Sequence, residues 1–305
     1  MNWEERSAKA CDLFIGVCGY ESRSTFVYSE MVGGASSYLF LRFPSSGILS
    51  FDSNEALLSA RSDVTFLDVA SELWIAEVER HISDTLAADP DRTTIDVIFD
   101  VSSASRKIIS QVLTLVKKKF SKRTSLTCVY AVAEFYDPPN SEIPSHISEP
   151  IVGDLAGWSD DLSKPPCAVV GLGFEPGRAL GCLDYLEIPE ARLFFPHGPD
   201  ARFVAAVEKA NGRLVAEIGS RFVLPYSVNS PNDTLIKLLS LITGLEADFR
   251  PIIIPFGPKI FATVAIVAAI QRSPNICVWR ASSGGLGELH DSVAQGSVCC
   301  LTIEL

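Results

Sequence analysis

The fold is decided by the stretch Asp12-Leu-Phe-Ile-Gly-Val-Cys18, an apolar run that leads into Gly19-Tyr20-Glu21-Ser22-Arg23. A second apolar run, at 167–172, leads into Gly173-Phe174-Glu175-Pro176-Gly177-Arg178. Both places predict a short buried strand followed by a loop that begins with glycine, an aromatic residue and glutamate. The two glutamates lie 154 positions apart. Such self-similarity indicates two copies of one structural unit.

Three further landmarks keep the same order and nearly the same offset. They are the apolar runs that end at Pro44 and Pro196, the cations Arg106 and Lys259 at the start of a helix, and the triplets Cys128-Val-Tyr and Cys277-Val-Trp. Four landmarks in register predict an internal duplication, because a chance match would keep neither the order nor the spacing.

Each copy alternates short apolar runs with helical patterns, and this alternation is typical of a parallel sheet with right-handed crossovers. We therefore predict an α/β protein with two tandem Rossmann-like domains, packed as a pseudo-dimer. The predicted boundaries are 1–136 for the first copy, 137–166 for a linker and 167–305 for the second copy. The linker is predicted to hold an added strand at 150–155, and the chain is predicted to end in another at 298–305.

Composition and charge exclude several classes of protein. The 305 residues include 26 Lys and Arg against 37 Asp and Glu, a formal charge of −11 that disfavours binding to bulk nucleic acid. The most apolar stretch, 251–270, is interrupted by Pro255, Gly257 and Pro258, so no membrane span is expected. Eight cysteines without a Cys-x-x-Cys pair, together with only four histidines, predict buried reduced thiols, no metal site and a cytoplasmic protein.

The ligand site is expected where the strand order of an open parallel sheet reverses, beyond the carboxyl ends of its first and fourth strands. The loops that are most similar between the two copies are those that follow the first and fourth strands. Both second loops place a cation at the start of a helix, where backbone N–H groups and the helix dipole favour a phosphate or carboxylate. The predicted ligand-binding residues are Gly19, Glu21, Arg23, Asp100, Ser102, Ser103 and Arg106 in the first copy, and Gly173, Glu175, Arg178, Gly257 and Lys259 in the second.

No cofactor is predicted, because the glycines at 171, 173 and 177 do not fit the dinucleotide-binding spacing. The second strand of each copy also lacks the acidic residue that such a site needs. Neither a phosphate-binding P-loop nor a nucleophile elbow is present.

Glu21 and Glu175 have more than one interpretation. Each glutamate would position a nearby cation, Arg23 or Arg178, through an ion pair. Alternatively, the carboxylate would accept a ribose hydroxyl or a base edge, or would act as an acid or base in catalysis. These alternatives remain open at the level of sequence.

In the second copy, a strand is followed by Pro255-Phe-Gly-Pro-Lys259 and then by an alanine-rich apolar helix. This arrangement resembles part of the CARF domains, which are Rossmann-like sensors of cyclic oligonucleotides. CARF domains have a Thr-Gly-Gly-Thr-Lys-like turn at that position. Two copies in one chain are similar to the SAVED arrangement, in which fused CARF-like halves form one ligand surface. Gly257, Lys259 and, through the repeat, Arg106 carry the resemblance. Threonine is absent from the turn, and the first copy has Ser-Ser-Ala-Ser before Arg106. The resemblance implies a role in prokaryotic antiviral defence, with any effector activity on a partner chain.

The leading hypothesis is a nucleotide- or cyclic-oligonucleotide-binding sensor or accessory protein, in which Arg106 and Lys259 bind phosphate. A second hypothesis is a hydrolase that cleaves a nucleotide phosphodiester or glycosidic bond with Glu21 or Glu175 as acid or base. A third is a non-catalytic scaffold subunit of a multiprotein complex, whose loops are only structural.

Overall fold

The computed structural model of the chain describes residues 2–89, 91–138, 145–157, 161–282 and 289–303. The chain forms two compact units of mixed α/β structure. The first unit comprises 1–134 together with 289–305, and the second comprises 135–288. Each unit contains a six-stranded sheet of five parallel strands and one antiparallel edge strand.

The sheet of the first unit has the strand order β12-β5-β4-β1-β2-β3. Its strands are β1 (Cys11–Cys18), β2 (Ala35–Arg42), β3 (Val64–Asp68), β4 (Ile95–Asp100), β5 (Thr124–Ala133) and β12 (Ala294–Ile303). Every residue of β1 is buried, because helices cover both faces of the sheet at its centre. The order reverses between β1 and β4, which is the arrangement that the sequence predicted.

The helices of the first unit are α1 (Trp3–Ser7), α2 (Phe26–Ser29), α3 (Phe51–Ser59), α4 (Trp74–Ala87) and α5 (Arg106–Phe120), and a 3₁₀ helix spans Ser22–Thr25. Val27 of α2, and Phe51 and Leu58 of α3, pack with Phe14 and Phe40 in one hydrophobic core. The helix α5 has a buried apolar face and ends in Lys117, Lys118 and Lys119, whose charges suit the carboxyl end of a helix.

The sheet of the second unit has the order β6-β11-β10-β7-β8-β9. Its strands are β6 (Ile147–Pro150), β7 (Pro166–Gly171), β8 (Glu190–His197), β9 (Val223–Ser227), β10 (Arg250–Pro255) and β11 (Cys277–Ser282). With β7 taken as the first strand of this unit, the order of its parallel strands is the same as in the first unit. The confirmed fold class is therefore two Rossmann-like sheets.

The helices of the second unit are α6 (Arg178–Tyr185), α7 (Ala201–Ile218), α8 (Pro231–Leu245) and α9 (Lys259–Gln271), and short 3₁₀ helices span Gly153–Leu155 and Ser220–Phe222. Residues of α6 and α7 pack against β7 and β8 in one core. On α9, the ring of Phe261 lies 5.4 Å from that of Phe194 and 5.0 Å from that of Tyr226. Residues 260–270 of this helix are all buried, as its apolar sequence predicted.

The two antiparallel edge strands cross the boundaries predicted from the sequence. In the order of the sequence, β6 follows the parallel strands of the first unit and precedes those of the second, and it pairs with β11. β12 follows the parallel strands of the second unit in the sequence but pairs with β5. The segment predicted as a linker therefore contributes to the second sheet, and 289–303 contribute to the first. The added strand is also earlier than predicted, because it spans Ile147–Pro150 and is followed by a 3₁₀ turn at Gly153–Leu155.

No helix in the described ranges is long and apolar enough to cross a membrane.

Two glycines allow a matched test of core packing. A Cβ built on Gly171 would overlap the buried ring of Phe261, whereas one on Gly212, within α7, would meet nothing within 4 Å. We expect Gly171→Ala to lower the free energy of unfolding by about 1–3 kcal/mol, since a packed core tolerates added atoms poorly. Gly212→Ala should raise the free energy of unfolding by about 0.5–1 kcal/mol, because alanine has less conformational freedom than glycine in the unfolded chain. Urea denaturation of both variants measures these changes, and an unchanged Gly171→Ala protein would contradict the packing of Phe261.

All eight cysteines are buried free thiols. Burial raises the pKa of every one of these thiols. The pKa rises to about 12 for Cys11, Cys18, Cys277 and Cys299. It rises to about 11 for Cys167, Cys182 and Cys300, and the pKa of Cys128 is also raised. Desolvation is the largest cause in every case, because it penalises the charged thiolate. The thiols therefore stay protonated in the folded protein well above pH 9.

We expect the protein to lose stability as the pH rises above about 9. Unfolded thiols ionise there while folded ones keep their protons, so each contributes a loss of up to about 1.4 kcal/mol per pH unit. Denaturation at pH 8, 9 and 10 should show a shallower loss for Cys128→Val than for the wild type. An identical pH dependence of stability in the two proteins would show that the Cys128 thiol ionises at the same pH in the folded and the unfolded protein.

Candidate functional site

A buried ion pair organises the loop that follows β1. Arg23 Nε donates to Glu21 Oε2 at 2.7 Å, and the two side chains are only 6% and 12% exposed. The guanidinium also donates through Nη1 to the backbone oxygen of Ala131 at 3.2 Å and to the Tyr130 hydroxyl at 3.3 Å. Burial lowers the pKa of Arg23, but its interactions with Tyr130 and Glu21 raise it by more. Arg23 therefore connects the first loop to the carboxyl end of β5.

A buried asparagine on α3 holds the same loop from the other side. Asn54 Nδ2 donates to the backbone oxygens of Gly19 and Glu21, both at 2.9 Å. Asn54 was not among the residues predicted from the sequence. The available signal was an asparagine at a position of the helix that faces the core, where a polar side chain needs a hydrogen-bond partner.

The loop after β4 joins this network. Asp100 accepts hydrogen bonds from the backbone N–H and the hydroxyl of Ser102, at 2.9 and 2.5 Å, and Ser102 Oγ accepts from the Ala131 N–H at 2.8 Å. Ser103 Oγ donates to Glu21 Oε2 at 3.2 Å. The loops after the first and fourth strands therefore meet at the switch point of the first sheet. Arg106 is the first residue of α5, which is capped by the side chain of Ser105.

The second unit repeats these contacts. Arg178 pairs with Glu175 at 3.3 Å and donates through Nη2 to the backbone oxygen of Ala281, at the end of β11, at 3.1 Å. Asn211 Nδ2, on α7, donates to the backbone oxygen of Gly173 at 2.7 Å. The Arg178–Glu175 pair is less buried than the Arg23–Glu21 pair of the first unit, because its side chains are 20% and 32% exposed.

The first and fourth loops of the second unit also meet. A Cβ on Gly173 would lie 2.9 Å from the Gly257 nitrogen, and one on Gly257 would overlap the backbone oxygen of Leu172. Gly257 has a φ of +72°, which other residues rarely adopt. Glycine is thus required at this close approach. Lys259 is the first residue of α9, directly after the turn.

The repeated contacts support the proposed duplication independently of the sequence offsets. In each unit, an arginine after the first strand bonds to glutamate and to a backbone oxygen of the fifth strand, and an asparagine on the helix after the second strand bonds to the loop glycine. Asn54 and Asn211 lie 157 positions apart, close to the offset of the other landmarks.

In the first unit, the segment before β12 closes over the first loop. Asp291 Oδ1 accepts from the Ser22 N–H at 2.5 Å, and Asp291 Oδ2 accepts from the Ser50 hydroxyl at 2.6 Å. The backbone oxygen of Ser292 accepts from the Arg23 N–H at 3.2 Å. These contacts were not predicted, because they join residues about 240 to 270 positions apart.

In the second unit, a cavity of about 660 Å³ lies beside α6. Five of its lining residues are the residue before α6 and four residues of that helix: Gly177, Arg178, Gly181, Cys182 and Tyr185. Within the described ranges, its other lining residues are Pro176, Ala281 and the three polar residues Ser145, His146 and Ser148. Of the predicted ligand-binding residues, Arg178 lines this cavity.

Two other cavities of the first unit are less informative. One of about 560 Å³ includes Arg42, whose guanidinium already pairs with Asp68 and Glu55. Another of about 500 Å³ includes Arg61, which pairs with Asp63 and stacks on Tyr38. In both, the cation is already neutralised by the protein's own carboxylates. Among the described residues, no group of three or more His, Cys, Asp or Glu side chains has the geometry to hold a metal ion.

Comparison with known proteins gives no independent indication of function. No protein-family model matches the chain, and a search of curated proteins finds no relative.

The buried pair in the first unit is testable by its effect on stability. Arg23→Met removes the guanidinium, so the buried Glu21 carboxylate loses its cation and the Ala131 backbone oxygen loses the Arg23 hydrogen bond. We expect a loss of about 3–5 kcal/mol, as for other buried pairs that lose one partner. Arg213→Met is the control, because its pair with Glu217 is on the surface and its side chain is 79% exposed. Equal denaturation midpoints for the two variants would show that the Arg23 network contributes nothing to stability.

Proposed function

We propose that this protein binds a small phosphate-bearing molecule at the carboxyl ends of its parallel strands and acts as a sensor or accessory protein. The observation that supports this proposal is the convergence of two loops in each unit. The loops after the first and fourth strands touch, through Ser103 and Glu21 in one unit and through Gly173 and Gly257 in the other. Ligands of open parallel sheets bind at this position.

The helix that starts beside each contact favours an anion. α5 has 15 residues and begins with Arg106, and α9 has 13 residues and begins with Lys259. The first N–H groups of a helix and its dipole attract negative charge, and a cation beside them adds a charge-assisted donor. Pro258, which precedes α9, offers no side-chain acceptor to those N–H groups.

The buried pairs support this function by holding the first loop rigid. Glu21 is bonded to Arg23 and Ser103, and Glu175 is bonded to Arg178, so each carboxylate holds a neighbouring group in place. This arrangement favours the ion-pair interpretation of the two glutamates over a role as acid or base. A loop fixed in advance loses less entropy when a ligand binds.

The resemblance to CARF and SAVED proteins makes cyclic oligonucleotides part of the proposed ligand class. It also extends the proposal to antiviral defence and to a partner chain that carries the effector activity. The scaffold hypothesis is the second candidate, and the internal bonding of Asp100, Ser102 and Arg23 favours it, because these polar groups stabilise the loops without a ligand.

Calorimetric titration with mono-, di- and cyclic nucleotides tests the proposal. We expect at least one class to bind the wild type, and Arg106→Ala or Lys259→Ala to weaken it about ten- to a hundredfold through loss of a charge-assisted contact. The matched control is Lys107→Ala, which removes an exposed cation one residue further along α5 and should leave binding unchanged.

Thermal melts of the same variants separate the two candidates. Melting transitions like that of the wild type, together with weaker binding, support a ligand site. If both variants lose their melting transition, or if no nucleotide binds the wild type, the loops are structural and the scaffold hypothesis is favoured.

A further inference from the structure

We propose that the cavity at the carboxyl ends of β2 and β3 in the first unit binds the hydroxyl groups of a ribose ring, with Glu55 and Asp68 as their acceptors. The ligand is then a ribonucleotide and not a deoxyribonucleotide. This inference deepens the proposed function and rests on it, because it names the sugar of the same phosphate-bearing molecule.

The cavity lies where a nucleotide-binding sheet holds a sugar. It has a volume of about 560 Å³, within the range of small-molecule sites, and its lining includes Arg42 and Asp68, the last residues of β2 and β3. In nucleotide-binding parallel sheets, an acidic residue near the end of the second strand accepts a ribose hydroxyl. β2 itself ends without an acidic residue, so the acceptor has to come from another part of the chain.

Arg42 brings two carboxylates to the place where β2 ends. Its Nε and Nη2 donate to the two oxygens of Asp68 at 2.6 and 3.2 Å, and its Nη1 donates to Glu55 Oε1 at 2.9 Å. The guanidinium also stacks on Phe66, at 5.3 Å from the ring centroid. Each carboxylate oxygen has lone pairs for a further hydrogen bond. The two carboxylates are therefore fixed in place and can still accept from a ligand.

The charge of the cavity selects hydroxyl groups over phosphate. One guanidinium and two carboxylates leave its described lining with one net negative charge. The hydrogen bonds from Arg42 lower the pKa of Asp68, so this carboxylate is ionised at neutral pH. A phosphate group is repelled here, whereas a hydroxyl donates to an ionised carboxylate in a charge-assisted bond.

A serine of the same cavity has a hydroxyl without a partner. Ser45 lines the cavity and is only 8% exposed, and its hydroxyl makes no hydrogen bond within the described chain. Buried polar groups are almost always bonded, so this hydroxyl is suited to a polar ligand. Phe43 and Phe51 line the cavity as well. Carboxylates, a hydroxyl and apolar rings together match a sugar, which has both hydroxyl groups and apolar C–H groups.

The second unit shows that the strand pairing does not need these charges. The matched apolar runs align Arg42 of β2 with Phe194 of β8. Arg42 pairs with Asp68 on β3, whereas Phe194 pairs with Leu224 on β9. The same position of the fold therefore forms with apolar residues in one unit and with an ion pair in the other.

The cavity adjoins the candidate site of the first unit. Cys18, the residue before the first loop, pairs with Arg42 across adjacent strands, which lie about 4.8 Å apart. On α3, Asn54 bonds to the first loop and the next residue, Glu55, bonds to Arg42. A nucleotide bound at the first loop thus has the cavity as a neighbouring subsite for its sugar.

Nucleotides that differ only in one hydroxyl test this inference. The probes are ADP with 2′-deoxy-ADP, and 3′,5′-cyclic AMP with its 2′-deoxy form, in calorimetric titrations. We expect at least one ribose form to bind the wild type about ten- to a hundredfold more tightly than its deoxy form, because the deoxy form lacks a charge-assisted hydrogen bond. Equal affinities within both pairs would overturn the ribose assignment.

Two variants identify the acceptors. Asp68→Asn and Glu55→Gln keep the shape of each side chain and remove one charge. Each should weaken binding of the ribose form about tenfold and leave binding of the deoxy form unchanged. Asp63→Asn is the matched control, because Asp63 also pairs with an arginine, Arg61, but lies at the amino end of β3. A wild-type ratio of the two affinities in both acceptor variants would overturn the cavity assignment.

Melting temperatures show whether the variants remain folded. All three carboxylate variants should melt close to the wild type, since exposed ion pairs contribute little to stability. Ser45→Ala changes no charge and should weaken binding of the ribose form about two- to tenfold through loss of a neutral hydrogen bond. If a carboxylate variant unfolds, the affinity ratio of Ser45→Ala decides the assignment, and a wild-type ratio there overturns it.

The same titrations distinguish this inference from the proposed function. If Arg106→Ala and Lys259→Ala weaken binding while ribose and deoxy forms bind equally, the function stands and the ribose assignment is wrong. If Asp68→Asn removes a preference for ribose while Arg106→Ala and Lys259→Ala bind as the wild type does, the cavity holds the sugar and the helix-leading cations are not the phosphate site. If no nucleotide binds the wild type, both proposals are wrong.

Discussion

The guanidinium of Arg23 is the point on which the first unit depends. A buried charge is tolerated only where its donors are satisfied. Here three acceptors come from two parts of the chain: Glu21 in the first loop, and Tyr130 and Ala131 near the end of β5. Ser102 bonds to the same stretch of β5 through the Ala131 N–H, so the loop after β4 is held as well. One buried cation thus determines how the loops at the carboxyl edge of the sheet are arranged.

Much of the fold was predictable because its central strands are long apolar runs. Each is buried on both faces, so its sequence is nearly free of polar residues and its position can be read directly. The edge strands were harder, since Ile147–Pro150 is short and half exposed and has no distinctive pattern. Its pairing with β11 depends on tertiary contacts, as does that of β12 with β5. For this reason the predicted linker at 137–166 and second copy at 167–305 differ from the compact units, in which 135–166 belong to the second unit and 289–305 to the first.

The candidate site was predictable where the residues that bond to each other are only a few positions apart in the sequence. Glu21 with Arg23, and Glu175 with Arg178, are close in sequence, and an ion pair was one of the interpretations weighed. Asn54 and Asp291 were missed for a physical reason. Their partners lie about 35 and 270 positions away, and only the folded chain brings such groups together.

The differences between the two units follow from how each satisfies its arginine. Arg23 is hydrogen-bonded to β5 and to the segment before β12, and its side chain is only 6% exposed. Arg178 has the same two kinds of partner but is 20% exposed, and its buried Nε has no bond within the described chain. A loop whose only role is structural gains stability by closing, as the first one does. Because solvent screens an exposed ion pair, the pair of Arg178 with Glu175 holds its loop less strongly than the buried pair of Arg23 with Glu21 does.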